Sequence, residues 1–254
     1  MRKILSQIRR CVDDYDMIDE GEKIAVGVSG GKDSLLLLYA LHQLSRFHPK
    51  RFSVCAVTLD LGFDDADYSP LIAFYEKLGI EYKLEKTDIG EVVFDIRKET
   101  NPCALCAKMR RGALHEAALS MGTNKVALGH NKNDVLETFL LCMIYEGRLG
   151  CFSPVTWLDR KNIYLIRPML YLYEYDIKST VKRLELPVIH NPCPANGATK
   201  RQEMKELIQH FRQVNPHIET NIFKSVENVN LRTIIAYKED GVKHHFLEHY
   251  DEWK

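Results

Sequence analysis

The sequence predicts an α/β fold: a parallel sheet of five strands with helices on both faces, followed by a C-terminal helical tail. Short apolar runs rich in β-branched residues alternate with longer amphipathic segments along the first 190 residues. This alternation is typical of parallel strands joined by crossover helices. A glycine-rich turn follows the first apolar run, where open parallel sheets bind ligands. These two observations define the fold class before any single residue is considered.

Each predicted element follows from its local pattern. The first strand, Lys23–Val28, ends at a Ser-Gly-Gly turn, and the first crossover helix, Asp33–Phe47, carries acidic and hydroxyl groups in its first turn. The remaining predicted strands are 52–59, 80–84, 125–128 and 163–166, and the remaining predicted helices are 67–78, 104–121, 133–146 and 174–184. After about residue 195 no strand signal is found, and helices are expected over Thr199–Val214 and Pro216–Tyr237.

The domain organisation expected from this pattern is a short N-terminal helix, a nucleotide-binding domain and a helical extension, over 1–20, 21–195 and 196–254 respectively. Lysine plus arginine and aspartate plus glutamate both number 35, so the formal charge is zero. A protein that coats nucleic acid through bulk charge is thereby excluded, although local basic patches are not. The longest apolar run, Leu35–Leu41, is far shorter than the roughly 20 residues of a membrane span. No signal peptide is recognised, so a cytoplasmic protein is expected.

The turn after the first strand is a candidate phosphate-binding loop. It reads Ser29-Gly30-Gly31-Lys32-Asp33-Ser34 and leads directly into a helix. Glycines let the backbone approach an anion, hydroxyls donate hydrogen bonds to it, and the lysine adds a full positive charge. The loop matches neither GxxxxGK[ST] nor GxGxxG, so it is neither of those two common nucleotide-binding loops.

Three of the seven cysteines have unusual surroundings. Cys103 and Cys106 form a CxxC pair at the start of a predicted helix, and Cys193 lies between two prolines. The pair is compatible with zinc, an iron–sulfur cluster or a redox couple, because thiolates serve all three. Three thiolates suit a cubane cluster that leaves one iron open, since each thiolate holds one iron. The other four cysteines, at 11, 55, 142 and 151, are expected to be small buried side chains.

The motif SGGKDS after a first strand resembles the pyrophosphate loop of the ATP pyrophosphatases, which cleave ATP between its α and β phosphates to adenylate a substrate. The resemblance implies the Rossmann-like sheet of the adenine nucleotide alpha hydrolases. It implies that Ser29, Gly30, Gly31, Lys32 and Ser34 hold the pyrophosphate end of ATP. It also implies that the adenine lies near the end of the second strand, around Leu59.

A wider match, from about residue 20 to 210, resembles the tRNA 2-thiocytidine synthetases. The segments that carry it are PCALCAKMRRGAL (102–114), ALGHNKNDVLETFL (127–140), IRPML (166–170) and PVIHNPCP (187–194). The resemblance implies a [4Fe-4S] cluster on Cys103, Cys106 and Cys193, and a homodimer. A second CxxC, present at the third-ligand site of many members, is absent here, because Cys193 is followed by Pro-Ala-Asn.

Acid–base and nucleotide-contacting candidates surround the predicted fourth and first strands. Gly129, His130 and Asp134 follow the predicted fourth strand. The resemblance implies that Asp134 is a catalytic or magnesium-proximal acid. Alternatively, Asp134 is only an acidic residue in the first turn of a helix. His130 is expected either to contact the nucleotide or to cap a helix. Asp33 is expected either to hold Mg²⁺ or to cap the helix in which it lies. Arg110, one turn beyond the CxxC, is a candidate for neutralising phosphate.

The function expected is ATP-dependent sulfur transfer to a cytidine in the anticodon loop of tRNA. ATP, Mg²⁺ and the cluster are the expected cofactors, with sulfide or a cysteine desulfurase as sulfur donor. Asp134, Lys32, Cys103 and Cys193 are expected to carry the chemistry. Two alternatives stay open: the same chemistry on another nucleoside or a small molecule, and a non-catalytic nucleotide-binding module stabilised by zinc.

Overall fold

The fold is described from a computed structural model that covers residues 1–63, 65–98, 102–189, 193 and 200–250. Within these ranges, no helix combines the length and the apolar character needed to cross a membrane. The predicted boundary between the second and third regions, at residues 195 and 196, lies outside the described residues.

A six-stranded sheet forms the centre of the molecule, with strand order β3-β2-β1-β4-β6-β5. Its strands are β1 (Glu22–Gly27), β2 (Phe52–Asp60), β3 (Glu81–Lys86), β4 (Lys125–Ala127), β5 (Val155–Leu158) and β6 (Ile163–Ile166). The five predicted strands are confirmed and are parallel to one another. The predicted total of five is wrong, because β5 adds an antiparallel edge strand that pairs with β6.

Helices cover both faces of this sheet. In chain order they are α1 (Arg2–Asp14), α2 (Lys32–Leu44), α3 (Ser69–Leu78), α4 (Ile89–Glu91), α5 (Pro102–Ser120), α6 (Lys132–Tyr145), α7 (Glu174–Leu184), α8 (Lys200–Val214), α9 (Ile218–Glu227) and α10 (Phe246–Tyr250), with a π-helical turn at Val92–Arg97 after α4. Side chains alternate across β1: Ile24 and Val26 pack in one core with α1 and α2, whereas Ala25 packs in a second core with α5. The central strand is therefore buried on both faces, as its continuous apolar sequence predicts.

The N-terminal helix belongs to the main core, because Ile4, Ile8 and Cys11 of α1 are buried in it. Cys55 and Cys142 are buried as expected, whereas Cys151 is half-buried.

The C-terminal region is not entirely helical. Helix α8 packs on α6 through Met204 and Ile208, but the helix predicted over Pro216–Tyr237 ends at Glu227. Beyond it, β7 (Ala236–Glu239) and β8 (Val242–His245) form an antiparallel hairpin. The prediction of helix to Tyr237 is therefore wrong beyond α9. The turn at Asp240-Gly241, where both residues have positive φ, joins the two strands of the hairpin.

Candidate active site

The phosphate loop joins β1 to α2 and leaves the start of that helix open. Gly31 is its N-cap residue in extended conformation, and in the described structure no side chain caps the helix. The Ser34 hydroxyl donates to the Gly31 carbonyl oxygen at 3.0 Å and accepts the Ser29 N–H at 3.2 Å. These bonds hold the loop in a fixed curve. The uncapped first-turn N–H groups and the helix dipole favour an anion at this point.

Gly30 is required by both conformation and space. Its φ is +81°, and a Cβ at this position would lie 2.3 Å from Cγ1 of Ile189. The Ile189 N–H also donates to the Gly30 carbonyl oxygen at 3.1 Å. The segment that leads to Cys193 is thereby tied to the phosphate loop.

Lys32 lies between two carboxylates. Its Nζ is 2.8 Å from Asp33 Oδ2 and 3.0 Å from Glu174 Oε1, at the start of α7. Burial lowers the pKa of Lys32, but the hydrogen bonds and charges of Asp33 and Glu174 more than offset it and leave the pKa raised. The lysine is therefore protonated at neutral pH and presents a positive charge beside the loop.

The loop after β4 lies against the phosphate loop. A Cβ on Gly129 would lie 3.1 Å from the backbone nitrogen of Ser34, so a side chain here would push the two loops apart by a few tenths of an ångström. Asn131 joins the two carboxylates of the site: its Nδ2 donates to Asp33 Oδ1 at 3.1 Å, and its backbone N–H donates to Asp134 Oδ2 at 2.8 Å.

Asp134 closes a capping box with Asn131 at the start of α6. Burial raises the pKa of Asp134; the Asn131 backbone and Arg201 oppose this shift, and Asp33 adds to it. Arg201 Nη1 lies 3.4 Å from both Asp134 Oδ1 and Glu137 Oε2. Mg²⁺ prefers oxygen ligands such as carboxylates. Asp33 and Asp134 are therefore the side chains at this site that fit a magnesium ion.

A cavity of about 460 Å³ extends from the phosphate loop along the carboxyl-terminal edge of the sheet. Ser29 of the phosphate loop lines it, with Leu59 at the end of β2, Arg110 in α5 and His130 after β4, so four predicted residues meet here. Its full described lining is Gly27, Val28, Ser29, Val57, Leu59, Leu61, Ala66, Tyr68, Ala107, Arg110, Arg111, Leu114, His115, Leu128, His130, Leu165, Arg167 and Ile189. Three arginines and no carboxylate occur among these described residues, so the cavity suits a ligand rich in negative charge and hydrogen-bond acceptors.

The three cysteines lie at the same edge. Cys103 and Cys106 occupy the first turn of α5, exposed and half-buried respectively, and Cys193 is half-buried. Burial raises the pKa of the Cys106 thiol, Arg110 lowers it, and Cys193 and Cys103 raise it further. The charge of Cys193 thus acts on Cys106, although 87 positions separate the two residues in the sequence.

The described residues contain no group of three or more His, Cys, Asp or Glu side chains arranged around a single metal ion. A cubane cluster makes a different demand, because each thiolate binds its own iron and the sulfur atoms stand apart. The thiols of Cys103, Cys106 and Cys193, with Arg110 acting on Cys106, are of the chemical type that such a cluster takes.

Several residues of the site were not predicted from the sequence. Glu174, Asn131, Arg167 and His115 are brought in by the fold, and none of them stands in a pattern that identifies its partner. Arg167 follows directly on β6, so its place at the carboxyl end of a parallel strand was the available signal.

Comparison with known proteins places the chain first in a class of proteins and then in a family. Residues 2–211 match the PP-loop domain family, so the chain belongs to the PP-loop proteins. It is 36% identical to a tRNA-cytidine(32) 2-sulfurtransferase of Pelobacter propionicus, over 95% of this chain and 91% of that protein. It is 32% identical to the corresponding protein of Geobacter sulfurreducens, over 92% of each chain. The chain is thus a member of the tRNA-cytidine(32) 2-sulfurtransferase family.

A solved structure supports the fold. The U34-tRNA thiolase NcsA from Methanococcus maripaludis, determined with its [4Fe-4S] cluster, superimposes with a TM-score of 0.71 at 24% identity, covering 91% of this chain and 82% of that one.

Proposed function

We propose that this protein is an ATP-dependent sulfurtransferase that converts a cytidine of tRNA to 2-thiocytidine. The observation that carries the proposal is the tie between two sites: Ile189, near Cys193, packs on Gly30 of the phosphate loop. A sulfur site and an adenylation site have to be adjacent, because adenylation occurs on the oxygen of a carbonyl group and the sulfur adds to the carbon of the same group. Membership of the 2-sulfurtransferase family supports the same reaction.

The proposed first step is adenylation. The cytidine O2 attacks the α-phosphorus of ATP, the bond to the β-phosphate breaks, and pyrophosphate leaves. Ser29, Gly30, Gly31 and Ser34 hold the departing phosphates, and Lys32 stabilises their developing charge. In a second step sulfur adds to C2, and AMP departs with the original oxygen. The activation is needed because the C2 carbonyl of cytosine is otherwise inert.

The remaining roles are assigned by position. The adenine lies near Leu59, Gly129 and His130 contact the nucleotide, and Arg110 neutralises phosphate. Asp33 and Asp134 would hold Mg²⁺, and Asp134 would act in catalysis through the ion that it holds. Cys103, Cys106 and Cys193 would hold a [4Fe-4S] cluster, which when bound supplies the binding place for the transferred sulfur.

The finer features of the reaction are proposed on the same basis. The target lies in the anticodon loop, and the sulfur comes from sulfide, or from a cysteine desulfurase whose persulfide sulfur a thiol reductant first reduces by two electrons to sulfide. The protein acts in the cytoplasm as a homodimer, which sedimentation in solution tests.

Anaerobic turnover tests the proposed reaction directly. Protein with a reconstituted cluster is incubated with ATP, Mg²⁺, sulfide and a tRNA transcript, and the digested nucleosides are separated by mass spectrometry. One AMP is expected for each 2-thiocytidine formed, and neither product from a Lys32→Met variant. If AMP is released with a different thiolated product, the substrate is not cytidine and that other nucleoside takes its place. If ATP binds but no AMP is released, the protein is a nucleotide-binding module and not a sulfurtransferase.

A further inference from the structure

Helix α5 borders the cavity on one side and the solvent on the other. Ala107, Arg110, Arg111 and Leu114 of this helix line the cavity. Leu114 lies against the end of β1, where a Cβ on Gly27 would be 2.9 Å from its Cδ2. Arg110 is half-buried, whereas Arg111 is exposed. Because Arg111 both lines the cavity and is exposed to solvent, it stands at the mouth of the cavity.

A second exposed cation lies beside Arg111 on the helix. Lys108 precedes it by three positions, a spacing that places the two Cβ atoms about 5–6 Å apart. Cys103, Ala107 and Arg111 follow one another at intervals of four residues, so each lies next to the following one on the helix surface. The two cations therefore lie between the cavity and the exposed Cys103 at the start of the helix.

The protein does not neutralise these two charges. Neither Lys108 nor Arg111 has a hydrogen-bond or ion-pair partner in the part of the chain that the structure describes. Glu116 is the one acidic residue of α5, and its carboxylate is 3.3 Å from Nζ of Lys161. Exposed cations without a carboxylate beside them attract a polyanion.

The segment before α5 adds charge of the same sign. The π-helical turn ends at Arg97 and is followed by Lys98, and both residues are exposed. The turn packs beside the start of α5, because Phe94 and Met109 belong to one apolar cluster. Asp95 is the one carboxylate of the turn. Positive charge thus extends from the mouth of the cavity past the start of the helix, although the whole chain is neutral.

An RNA strand is the polyanion that suits this position. A nucleotide within an RNA chain can insert its base into a cavity, but the phosphates on either side of it stay at the opening. The phosphates of ATP are already assigned to the loop at Ser29–Ser34 and to the half-buried Arg110. The exposed pair at the mouth is left for phosphates that remain in solvent.

We propose that Lys108 and Arg111, referred to below as the mouth cations, bind the phosphates that flank the target nucleotide of the RNA substrate. The inference rests on the proposed function for the identity of the RNA. It adds the surface that holds the strand while one nucleotide enters the cavity. These contacts position the RNA without reading its sequence, because every nucleotide carries the same phosphate.

Equilibrium binding over a range of salt concentrations tests the mouth cations. An anticodon stem-loop RNA is titrated into the full-length protein purified without oxygen, with an ATP analogue that resists cleavage between the α and β phosphates. In Arg111→Met and in Lys108→Met the slope of log K against log salt should become shallower by about 0.7, which weakens binding about fivefold at about 0.1 M salt. Stem-loops with cytidine or uridine at the target position should lose affinity equally.

The matched controls are Arg183→Met and Lys182→Met. Both side chains are exposed in the last turn of α7. That helix packs in the core formed with α1 and α2, on the face of the sheet opposite to α5. The control variants should keep the wild-type RNA affinity and salt slope. All four variants should melt within about 2 °C of the wild type, because each removes an exposed side chain.

A neutral methylphosphonate on one side of the target nucleotide, and then on the other, locates the contact. The wild-type protein should lose about fivefold in affinity for at least one of these RNAs, and the variant that lacks the matching cation should lose no more. Losses that add in full in both variants, or salt slopes equal to those of the controls, would overturn the mouth cations. A parallel loss of affinity for the ATP analogue in Arg111→Met would assign that arginine to the nucleotide instead. Unchanged RNA binding would leave the surface to an acidic protein and refute the proposal.

Failure of the proposed function gives a different result. If both variants lose RNA affinity as expected but the wild type forms no thiolated nucleoside in the turnover assay, the mouth cations stand and the sulfur transfer is refuted. If the wild type forms 2-thiocytidine and neither variant loses RNA affinity, the mouth cations alone are refuted.

Discussion

The phosphate loop and the cysteine site lie at the same edge of the sheet, but their own structures constrain them differently. The loop is held by hydrogen bonds of Ser34, by the packing of Gly30 on Ile189 and by the bond between Asn131 and Asp33. Cys103, by contrast, is exposed, and Cys106 and Cys193 are only half-buried. Backbone geometry prepares the nucleotide end, whereas the sulfur end depends on what its thiols bind.

Lys32→Met tests the nucleotide end most strongly. The substitution takes away the positive charge proposed to stabilise pyrophosphate, while Asp33 keeps its hydrogen bond from Asn131 and Glu174 its ion pair with Lys178, so AMP formation should fall by about 10²–10³-fold. Rapid-quench measurement of AMP checks this. Lys132→Met is the matched control: that lysine begins α6 and packs on the rings of Tyr173 and Phe223, outside the phosphate loop. An equal loss of AMP formation in both variants would show that Lys32 has no specific role in the reaction.

Gly30→Ala tests whether the loop conformation itself binds the phosphates. A Cβ at this position conflicts with Ile189 and with the positive φ, so ATP affinity should fall by about 10- to 100-fold. Calorimetric titration measures the affinity. Gly79→Ala carries a similar backbone penalty at φ +65° with no atom within 4 Å of the new Cβ, and should leave ATP affinity unchanged. A Gly30 variant that binds ATP normally would contradict the preformed loop.

His130 makes the stability of the nucleotide end depend on pH. Its pKa is lowered from 6.5 to about 4, chiefly by burial, so between these values the unfolded chain binds more protons and the free energy of unfolding falls as the pH drops. About 2 kcal/mol should be lost between pH 7 and pH 4.5, and His130→Phe should remove that part of the slope. Urea denaturation at both values checks this, with His210→Phe on the exposed face of α8 as control. An unchanged slope in the His130 variant would show that the ring is not desolvated.

Arg201 gives the smallest expected effect and concerns the attachment of α8. The arginine pairs with Asp134 and Glu137, but it is itself about two-fifths exposed. Solvent screening limits such a pair, so Arg201→Met should cost about 1 kcal/mol of unfolding free energy. Lys200→Met is the comparison, because its partner Glu203 is exposed as well and the cost there should approach zero. Equal costs would show that the buried Glu137 does not depend on Arg201.

The predictable part of the molecule is the part fixed by local pattern. Apolar runs identified the five parallel strands, and the loop at Ser29–Ser34 was recognised because glycine, hydroxyl and lysine follow a strand directly. Strand β5, Val155–Leu158, was missed because it is an antiparallel edge strand that is only partly buried and therefore lacks the continuous apolar run of the inner strands. The hairpin at Asp240-Gly241 carried a turn signal, but its polar strands gave no apolar alternation.

Partners at the site could not be derived in the same way. Glu174 and Asn131 meet Lys32 and Asp33 only after crossover connections bring the ends of separate strands together. The unpaired nitrogens of His130 and Arg167 are properties of packing, which no sequence spacing encodes. Sequence motifs thus located the site, whereas the polar pairs inside it could be identified only from the folded structure.

Metal analysis of a Cys193→Ala variant tests most directly whether the three cysteines hold an iron–sulfur cluster beside the phosphate loop. Iron, acid-labile sulfide and zinc are measured per chain on protein purified without oxygen, beside Cys151→Ala, which removes a half-buried cysteine outside the proposed cluster. About four iron and four sulfide ions are expected in the wild type and in Cys151→Ala, with most of both lost in Cys193→Ala. Zinc alone, or iron that survives the loss of Cys193, would contradict a three-cysteine cluster beside the phosphate loop.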